Sequence, residues 1–251
     1  MKRFVILQFL LLLCFLPACA QVKRYKVEVV KEYPHSTGSY TQGLFWDGDR
    51  LIESCGQYGS SKLIEVELES GKALKEKKFA QKYFMEGSAI LNDKLYLLTW
   101  TNKVLFVYDA KNFEYLQSYS YPREGWGLTT DGSRLIASDG SSSLYFLSPE
   151  LKLQKTLNVT LNGRAMRYLN ELEWIDGKIW ANVYTTDIIL IINPESGKVE
   201  GVVDCEGLLP EHLRGPETDV LNGIAVDGEG RIFLTGKNWP RLYEVRLKEQ
   251  R

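Results

Sequence analysis

The sequence predicts an all-β fold, and three observations carry that prediction. One hairpin-forming pattern recurs five times, the copies begin 44, 40, 44 and 52 residues apart, and an alternating segment near the start of the chain belongs to none of them. Self-similarity at a near-constant period says how units stack, which no single segment can.

In chain order, the opening MKRFVILQFLLLLCFLPACA sets Lys2 and Arg3 before an apolar run from Phe4 to Leu16 and a small-residue stretch. Basic, apolar and small residues in that order form an export signal, and the run is short for a membrane span. Residues 1–20 are therefore expected to be a signal peptide and residues 21–251 a single domain. Two processing readings stay open: Ala18-Cys19-Ala20 fits cleavage between small residues, whereas Leu16-Pro17-Ala18-Cys19 fits a bacterial lipobox that ends the signal at residue 18 and places a lipid on Cys19. Either way the mature protein is expected to be exported, periplasmic or anchored at a bacterial outer membrane.

Tyr25 to Tyr33 then alternates like a strand. The five copies follow as QGLFWDGDRLIESCG from Gln42, EGSAILNDKLYLLTW from Glu86, WGLTTDGSRLIASDG from Trp126, NELEWIDGKIWANVY from Asn170 and NGIAVDGEGRIFLTGK from Asn222. Each joins two short alternating runs through an Asp-Gly, Asn-Asp or Gly-Glu-Gly turn, the signal of a tight hairpin. A second pair of runs follows in most copies, such as SKLIEVELESGK and DIILIINPESGK. Four short strands in about 40–50 residues is the period of a β-propeller blade. The expected architecture is five four-stranded antiparallel blades, with Tyr25 to Tyr33 closing the ring beside a C-terminal strand containing Leu242 to Leu247. A β-sandwich or two small β domains fits less well, because no Pro/Gly/Ser-rich linker divides the chain. Glu206 to Asp219, with two prolines, reads as a loop.

Composition removes several function classes. A net charge of -1 without like-charge blocks gives no basic surface for nucleic acid. His35 and His212 are the only histidines, so a multi-histidine zinc site is excluded. After processing only Cys55 and Cys205 remain, too few for a disulfide scaffold, and both are expected to be packed thiols.

In a propeller the innermost strands line a central channel, so equivalent positions of the copies form rings. The opening residues Gln42, Glu86, Trp126, Asn170 and Asn222 make one such ring. Six residues beyond each hairpin's basic residue lie Gly56, Trp100, Gly140, Tyr184 and Lys237, expected on the same rim. One carboxylate, one ammonium, three amides and three aromatics then share a mouth. With Phe84 alongside, Glu86 sits where a raised pKa is expected. Strand alternation places Glu171 and Glu173 on the face opposite Asn170, away from the channel, in structural roles, and Asp139 in a turn.

The segments YTQGL, YFMEGSAILNDKLYLLTW, EGWGLTTDG, LNELEWIDGKIWANVYTTD and VLNGIAVDGEGRIFLTGKNWP strongly resemble the plant and bacterial type of glutaminyl-peptide cyclotransferase, in collinear order through the mature chain. That resemblance implies a five-bladed propeller, unrelated to the zinc-dependent animal enzymes, that converts N-terminal glutamine of peptides or proteins to pyroglutamate and releases ammonia without metal or other cofactor. It implies Glu86 as the catalytic residue and Gln42, Trp100, Trp126, Asn170 and Lys237 as pocket residues, with Phe84 and Tyr184 also assigned to substrate binding. Tyr40 stands where a Phe is often found, and Tyr184 where plant relatives resemble one another in having Trp. His35 also matches a family motif and is given no chemistry.

The implied reaction needs no protein nucleophile, because the substrate's α-amine attacks its own γ-carboxamide. Glu86 would move the protons. Trp126 N–H, the Asn170 or Gln42 amides and Lys237 are the candidate oxyanion donors. Two rivals remain at this level: a binding-only propeller for a peptide or glycan, and a lactonase-like hydrolase with a channel Ca²⁺, which a ring of one carboxylate and a lysine serves poorly. The expected partners are peptides with N-terminal Gln, the protein being a monomer.

Overall fold

A computed structural model describes residues 21–250, so the expected signal peptide and the lipid-accepting Cys19 lie outside the described residues. Within them the chain is all-β apart from a 3₁₀ turn at Glu211–Leu213, inside the expected loop. Strand β1 (Lys23–Pro34) comes first. Three antiparallel four-stranded sheets follow: β2 (Thr41–Asp47) to β3 (Arg50–Cys55), β4 (Lys62–Glu67) and β5 (Lys72–Lys78); β6 (Met85–Leu91) to β7 (Lys94–Thr99), β8 (Val104–Asp109) and β9 (Tyr115–Ser120); and β10 (Leu128–Thr130) to β11 (Leu135–Ser138), β12 (Ser143–Leu147) and β13 (Leu153–Asn158). A small hairpin of β14 (Thr160–Leu161) and β15 (Arg164–Ala165) is added. The remaining strands are β16 (Leu169–Ile175), β17 (Lys178–Val183), β18 (Ile188–Ile192), β19 (Val199–Asp204), β20 (Leu221–Val226), β21 (Ile232–Gly236) and β22 (Arg241–Gln250).

These last strands correct the expectation of uniformly separate, antiparallel four-stranded units. They form one eight-stranded mixed sheet ordered β16-β17-β18-β19-β1-β22-β21-β20. β1 runs antiparallel to β22, with Tyr25 opposite Glu249 and Tyr33 opposite Leu242. Its other edge pairs in parallel with β19, from Lys23 opposite Gly201 to Lys26 opposite Asp204. Two outer edges that meet satisfy each other's unpaired backbone groups, which a free edge leaves to solvent.

Burial falls from the inner to the outer strand of each sheet. β3 is buried at every position but Arg50, whereas β5 (KALKEKK) is exposed at most of its positions and bristles with lysine. Lysine on an outer strand discourages edge-to-edge pairing. Apolar clusters fill the spaces between consecutive sheets: Phe45, Ile52 and Leu63 meet Met85, Leu95 and Leu97, and Leu98 and Leu105 meet Leu128 and Leu135. The last strands pack on the first sheet in the same way, through Tyr33, Phe233 and Leu242 against Leu44, Leu51 and Ile64.

The innermost strands carry the feature that aims the site. Register shifts interrupt β2 between Thr41 and Gly43, β6 between Met85 and Ser88, β16 between Leu169 and Leu172, and β20 between Leu221 and Ile224. Each falls at an opening residue of the repeat. A bulge adds a residue that leaves the pleat and re-aims its side chain. Neighbouring inner strands approach closely there: the Gly87 N–H donates to the Trp126 carbonyl at 2.7 Å, and a Cβ on Gly87 would stand 2.4 Å from the Leu128 nitrogen.

Candidate active site

The two expected rings share one rim. In four copies the rim residue's N–H donates to the carbonyl two residues before the opening residue: Gly56 to Tyr40 (2.8 Å), Trp100 to Phe84 (3.0 Å), Tyr184 to Tyr168 (2.8 Å) and Lys237 to Val220 (2.9 Å). The cavity this creates, about 170 Å³, is lined by Tyr40, Gln42, Phe84, Glu86, Trp100, Trp126, Asn170, Tyr184 and Lys237. All eight residues expected in the site from sequence are brought together, and Tyr40 joins them. Asn222 stands behind, its Nδ2 donating to Gln42 Oε1 (3.2 Å) and to the Thr41 carbonyl (2.9 Å). Gly140, at φ +75°, gives up its side-chain space to the Trp126 ring, whose Cζ2 would lie 2.6 Å from a Cβ there. Gly56 yields to Phe84 likewise.

Two aromatic pairs line the cavity. Phe84 meets Trp100 edge-on at 5.6 Å, and Trp126 meets Tyr184 edge-on at 5.6 Å. Tyr184 thus occupies the wall position in place of a Trp. Lys237 Nζ lies 4.8 Å from the Tyr40 ring and 4.9 Å from the Tyr184 ring, so two π faces hold the ammonium. Tyr40 is itself fixed by its hydroxyl, which donates to Asp219 Oδ2 at 2.8 Å.

Glu86 is only 4% exposed and has no hydrogen-bonding partner for its carboxyl among the described residues. Burial pushes its pKa well above the usual carboxylate range; Lys237 pulls it back in part, and Glu124 pushes it further up. Burial lowers the Lys237 pKa, with Glu86 and Asp219 opposing. The site thus holds a carboxyl of raised proton affinity and a lysine of lowered proton affinity, both lining the cavity without a mutual hydrogen bond.

Several polar residues that hold this arrangement escaped the reading of the sequence. Ser54 Oγ donates to the Glu86 carbonyl (2.7 Å), Ser138 Oγ to the Asn170 carbonyl (2.7 Å), and Asn182 Oδ1 accepts from the Gly223 N–H (3.0 Å). All three lie four residues beyond the hairpin's basic residue, and each grips the next copy's inner strand. The polar residues recurring at that position were the available signal.

Two expectations need correcting. Glu171 does not turn away from the centre of the molecule: the bulge in β16 breaks the alternation, and its carboxyl accepts from the Leu44 (3.3 Å) and Ile224 (3.0 Å) N–H groups of two other inner strands. Glu173 accepts from Val226 N–H (3.3 Å) and lines a separate cavity with Trp46 and Thr129. Their role remains structural hydrogen bonding. The second correction concerns Trp126, whose indole N–H is taken by Glu124 Oε2 at 3.2 Å and is not directed at the cavity. The amide oxygen of Gln42 accepts from Asn222, which leaves its NH2 group, the Asn170 amide and Lys237 as donors lining the cavity.

Other sequence features fall where expected. Asp139 shapes a turn, accepting from the Ser141 N–H (3.1 Å) and the Tyr145 hydroxyl (2.9 Å). Cys55 and Cys205 are buried free thiols. His35 lies outside the cavity, buried against Glu53 (3.2 Å) with its Nδ1 2.7 Å from the Trp239 carbonyl.

An all-β scaffold of successive packed sheets, with a buried carboxyl, a lysine and aromatic walls converging at one mouth, has the features of an enzyme pocket that encloses a small chemical group. The glutamine cyclotransferase family matches residues 6–247. The chain belongs to this family. It is 42% identical over 232 residues to the glutaminyl-peptide cyclotransferase of Arabidopsis thaliana, covering 89% of this chain and 72% of that protein. The crystal structure of Myxococcus xanthus glutaminyl cyclase superposes with a TM-score of 0.86 at 36% identity, covering 92% of this chain and 100% of that one. BamB from Moraxella catarrhalis, at 11% identity and a TM-score of 0.51 over 90% of this chain and 99% of its own, shares the fold alone.

Proposed function

We propose that this chain cyclises the N-terminal glutamine of peptides or proteins to pyroglutamate in the Glu86 pocket, releasing ammonia. The observation that carries the reading is the buried, unbonded Glu86 carboxyl facing a cavity sized for one side chain and walled by Phe84, Trp100, Trp126 and Tyr184. The aromatic walls fold the glutaminyl side chain so that the α-amine stands over its own carboxamide carbon, a near-attack geometry that replaces a protein nucleophile.

A peptide α-amine has a reference pKa of about 7.7–8.0, so much of it must lose a proton before it attacks, and burial raises the affinity of Glu86 for that proton. Glu86 as carboxylate takes a proton from the entering ammonium, and the freed amine attacks the carboxamide carbon. As the C–N bond to the leaving nitrogen breaks, the Glu86 carboxyl gives that nitrogen a proton, and the new ring nitrogen returns one to Glu86. Glu86 then passes its remaining proton to the departing ammonia, so the products are lactam and ammonium and the carboxylate is restored. Lys237 and the Asn170 and Gln42 amides stabilise the negative charge that develops on the carboxamide oxygen, while the indoles keep out water that would hydrolyse the amide to glutamate.

The architecture we assign is a single five-bladed propeller over residues 21–251, its last blade made of β20, β21, β22 and β1. The five-copy repeat and the packing of the last strands on the first sheet support that assignment. The basic-apolar-small order of residues 1–20 supports export, with Cys19 as the lipid acceptor if the lipobox is used. Incubating purified protein with a peptide beginning in Gln, and measuring loss of one ammonia by mass spectrometry, tests the activity. A peptide recovered unchanged would overturn it.

A further inference from the structure

Glu124 sits in the loop between β9 and β10, exposed at the mouth of the cavity, and takes no part in the chemistry described above. One of its carboxylate oxygens accepts from two donors at once: Trp100 Nε1 at 2.9 Å and Trp126 Nε1 at 3.2 Å. Trp100 directly follows β7 and Trp126 lies in the same loop as Glu124, just before β10, and both indoles line the cavity. The loop is fastened at both ends of this contact. The Gly125 N–H donates to the Thr99 (3.1 Å) and Trp100 (3.2 Å) carbonyls, the Trp126 N–H donates to the Ser138 carbonyl (3.2 Å), and the Arg123 guanidinium lies 4.0 Å from the Tyr145 ring centroid.

A carboxylate only accepts, and an indole has a single donor, so both rings must turn their N–H edges outward to Glu124. Their remaining edges and faces are left for the cavity. Trp126 lays its six-membered ring on Gly140, and Trp100 stands edge-on to Phe84. An acceptor shared between two donors also couples the rings, since neither can rotate without abandoning it. The same charge lies close enough to Glu86 to disfavour its ionised form.

We propose that Glu124 is the positioning residue of this site: by holding both indole N–H groups on one carboxylate oxygen, it sets the Trp100 and Trp126 rings as the walls that fold the substrate's glutaminyl side chain. Resting on the cyclase reading, this makes Glu124 act through the two tryptophans and never on the reacting atoms.

The test compares the parent with Glu124→Gln and Glu124→Ala on one glutaminyl peptide, reading kcat, KM, the pH profile and the near-ultraviolet circular dichroism of the indoles. Glu124→Ala removes the shared acceptor and is expected to lower kcat/KM about 10²-fold, the scale of a small misplacement of substrate, with an altered indole spectrum. Glu124→Gln keeps an amide oxygen that can accept both N–H groups, so it is expected to restore the spectrum and all but about tenfold of the rate. With the charge gone, the acid limb of its pH profile should move to lower pH. A Glu124→Ala protein with the parent's spectrum and turnover would overturn the proposal, as would a Glu124→Gln protein no better than Glu124→Ala. Should Glu124→Ala fail to fold, Glu124→Gln is measured in a Trp100→Phe/Trp126→Phe background: the proposal requires its effect on rate to vanish there, and an undiminished effect refutes it. If the parent is inactive on glutaminyl peptides, the cyclase reading fails, and the spectra alone still decide the clamp.

Discussion

Replacing Glu86 with Gln separates catalysis from architecture in this molecule. The side chain keeps its size and loses its exchangeable proton near neutral pH. Because the Glu86 carboxyl bonds to no other described residue, the substitution orphans no donor or acceptor of the protein. The strand position is held instead by the backbone, where Ser54 Oγ donates to the Glu86 carbonyl. Folding is therefore expected to survive. A pKa raised by burial means that the native state keeps a proton which the unfolded chain releases at lower pH. Glu86 thus costs stability as pH rises from the ordinary carboxylate range through its native pKa, and costs nothing below that range. Glu86→Gln should melt with the parent at low pH and above it at alkaline pH. Turnover should fall by about 10²- to 10⁴-fold, the range for a lost acid–base group, with KM changing far less. Ammonia release on one glutaminyl peptide, beside thermal melts at two pH values, measures both. A folded Glu86→Gln protein with near-parental kcat would refute the proton-transfer role.

Other expectations follow from particular contacts. Trp126→Phe keeps the wall and loses one of the two bonds to Glu124, so its rate should fall by no more than that of Glu124→Ala; a loss clearly beyond that of Glu124→Ala, toward about 10³-fold, would mark the indole as an oxyanion donor after all. Burial raises Glu173 from 4.5 to about 8. At about 1.4 kcal/mol per pH unit the cost is at most about 5 kcal/mol, so Glu173→Gln should raise the melting temperature above pH 8 and leave it unchanged at pH 4; equal melting at both would show that Glu173 stays ionised. Deleting residues 22–33 strips β1 from both β22 and β19 and removes the buried Tyr33. The two freed edges should drive aggregation, visible by light scattering, and a monodisperse deletion protein would show β1 to be dispensable.

The hairpins were legible because each is local. Alternating runs and a tight turn lie within one segment, and all five pair as the sequence requires, from Asp47 opposite Arg50 to Val226 opposite Ile232. The pairing of Tyr33 with Leu242 was legible for a different reason: an alternating segment left over at one end of a repeat needs a partner at the other. The pocket followed from the period, since equivalent positions of stacked units must converge. Glu86, Trp100 and Lys237 could be gathered without knowing a single distance.

What failed in the sequence were inferences that assumed an unbroken pleat or a free donor. Glu171 was misplaced because a bulge at Asn170 and Glu171 breaks period-two alternation, and nothing in NELEW announces it. Trp126 looked like a free donor because Glu124, two residues away along the chain, gives no sign that it also reaches Trp100 across a sheet boundary. The parallel pairing of β1 with β19 depends on where two outer edges lie in space. The sequence by itself determined the unit, its repetition and which side chains share a mouth, because those depend on periodicity along the chain. Only the tertiary structure decided which carboxyl is buried without a partner and which indole N–H groups are already spent, because desolvation and hydrogen bonding depend on neighbours far apart in sequence.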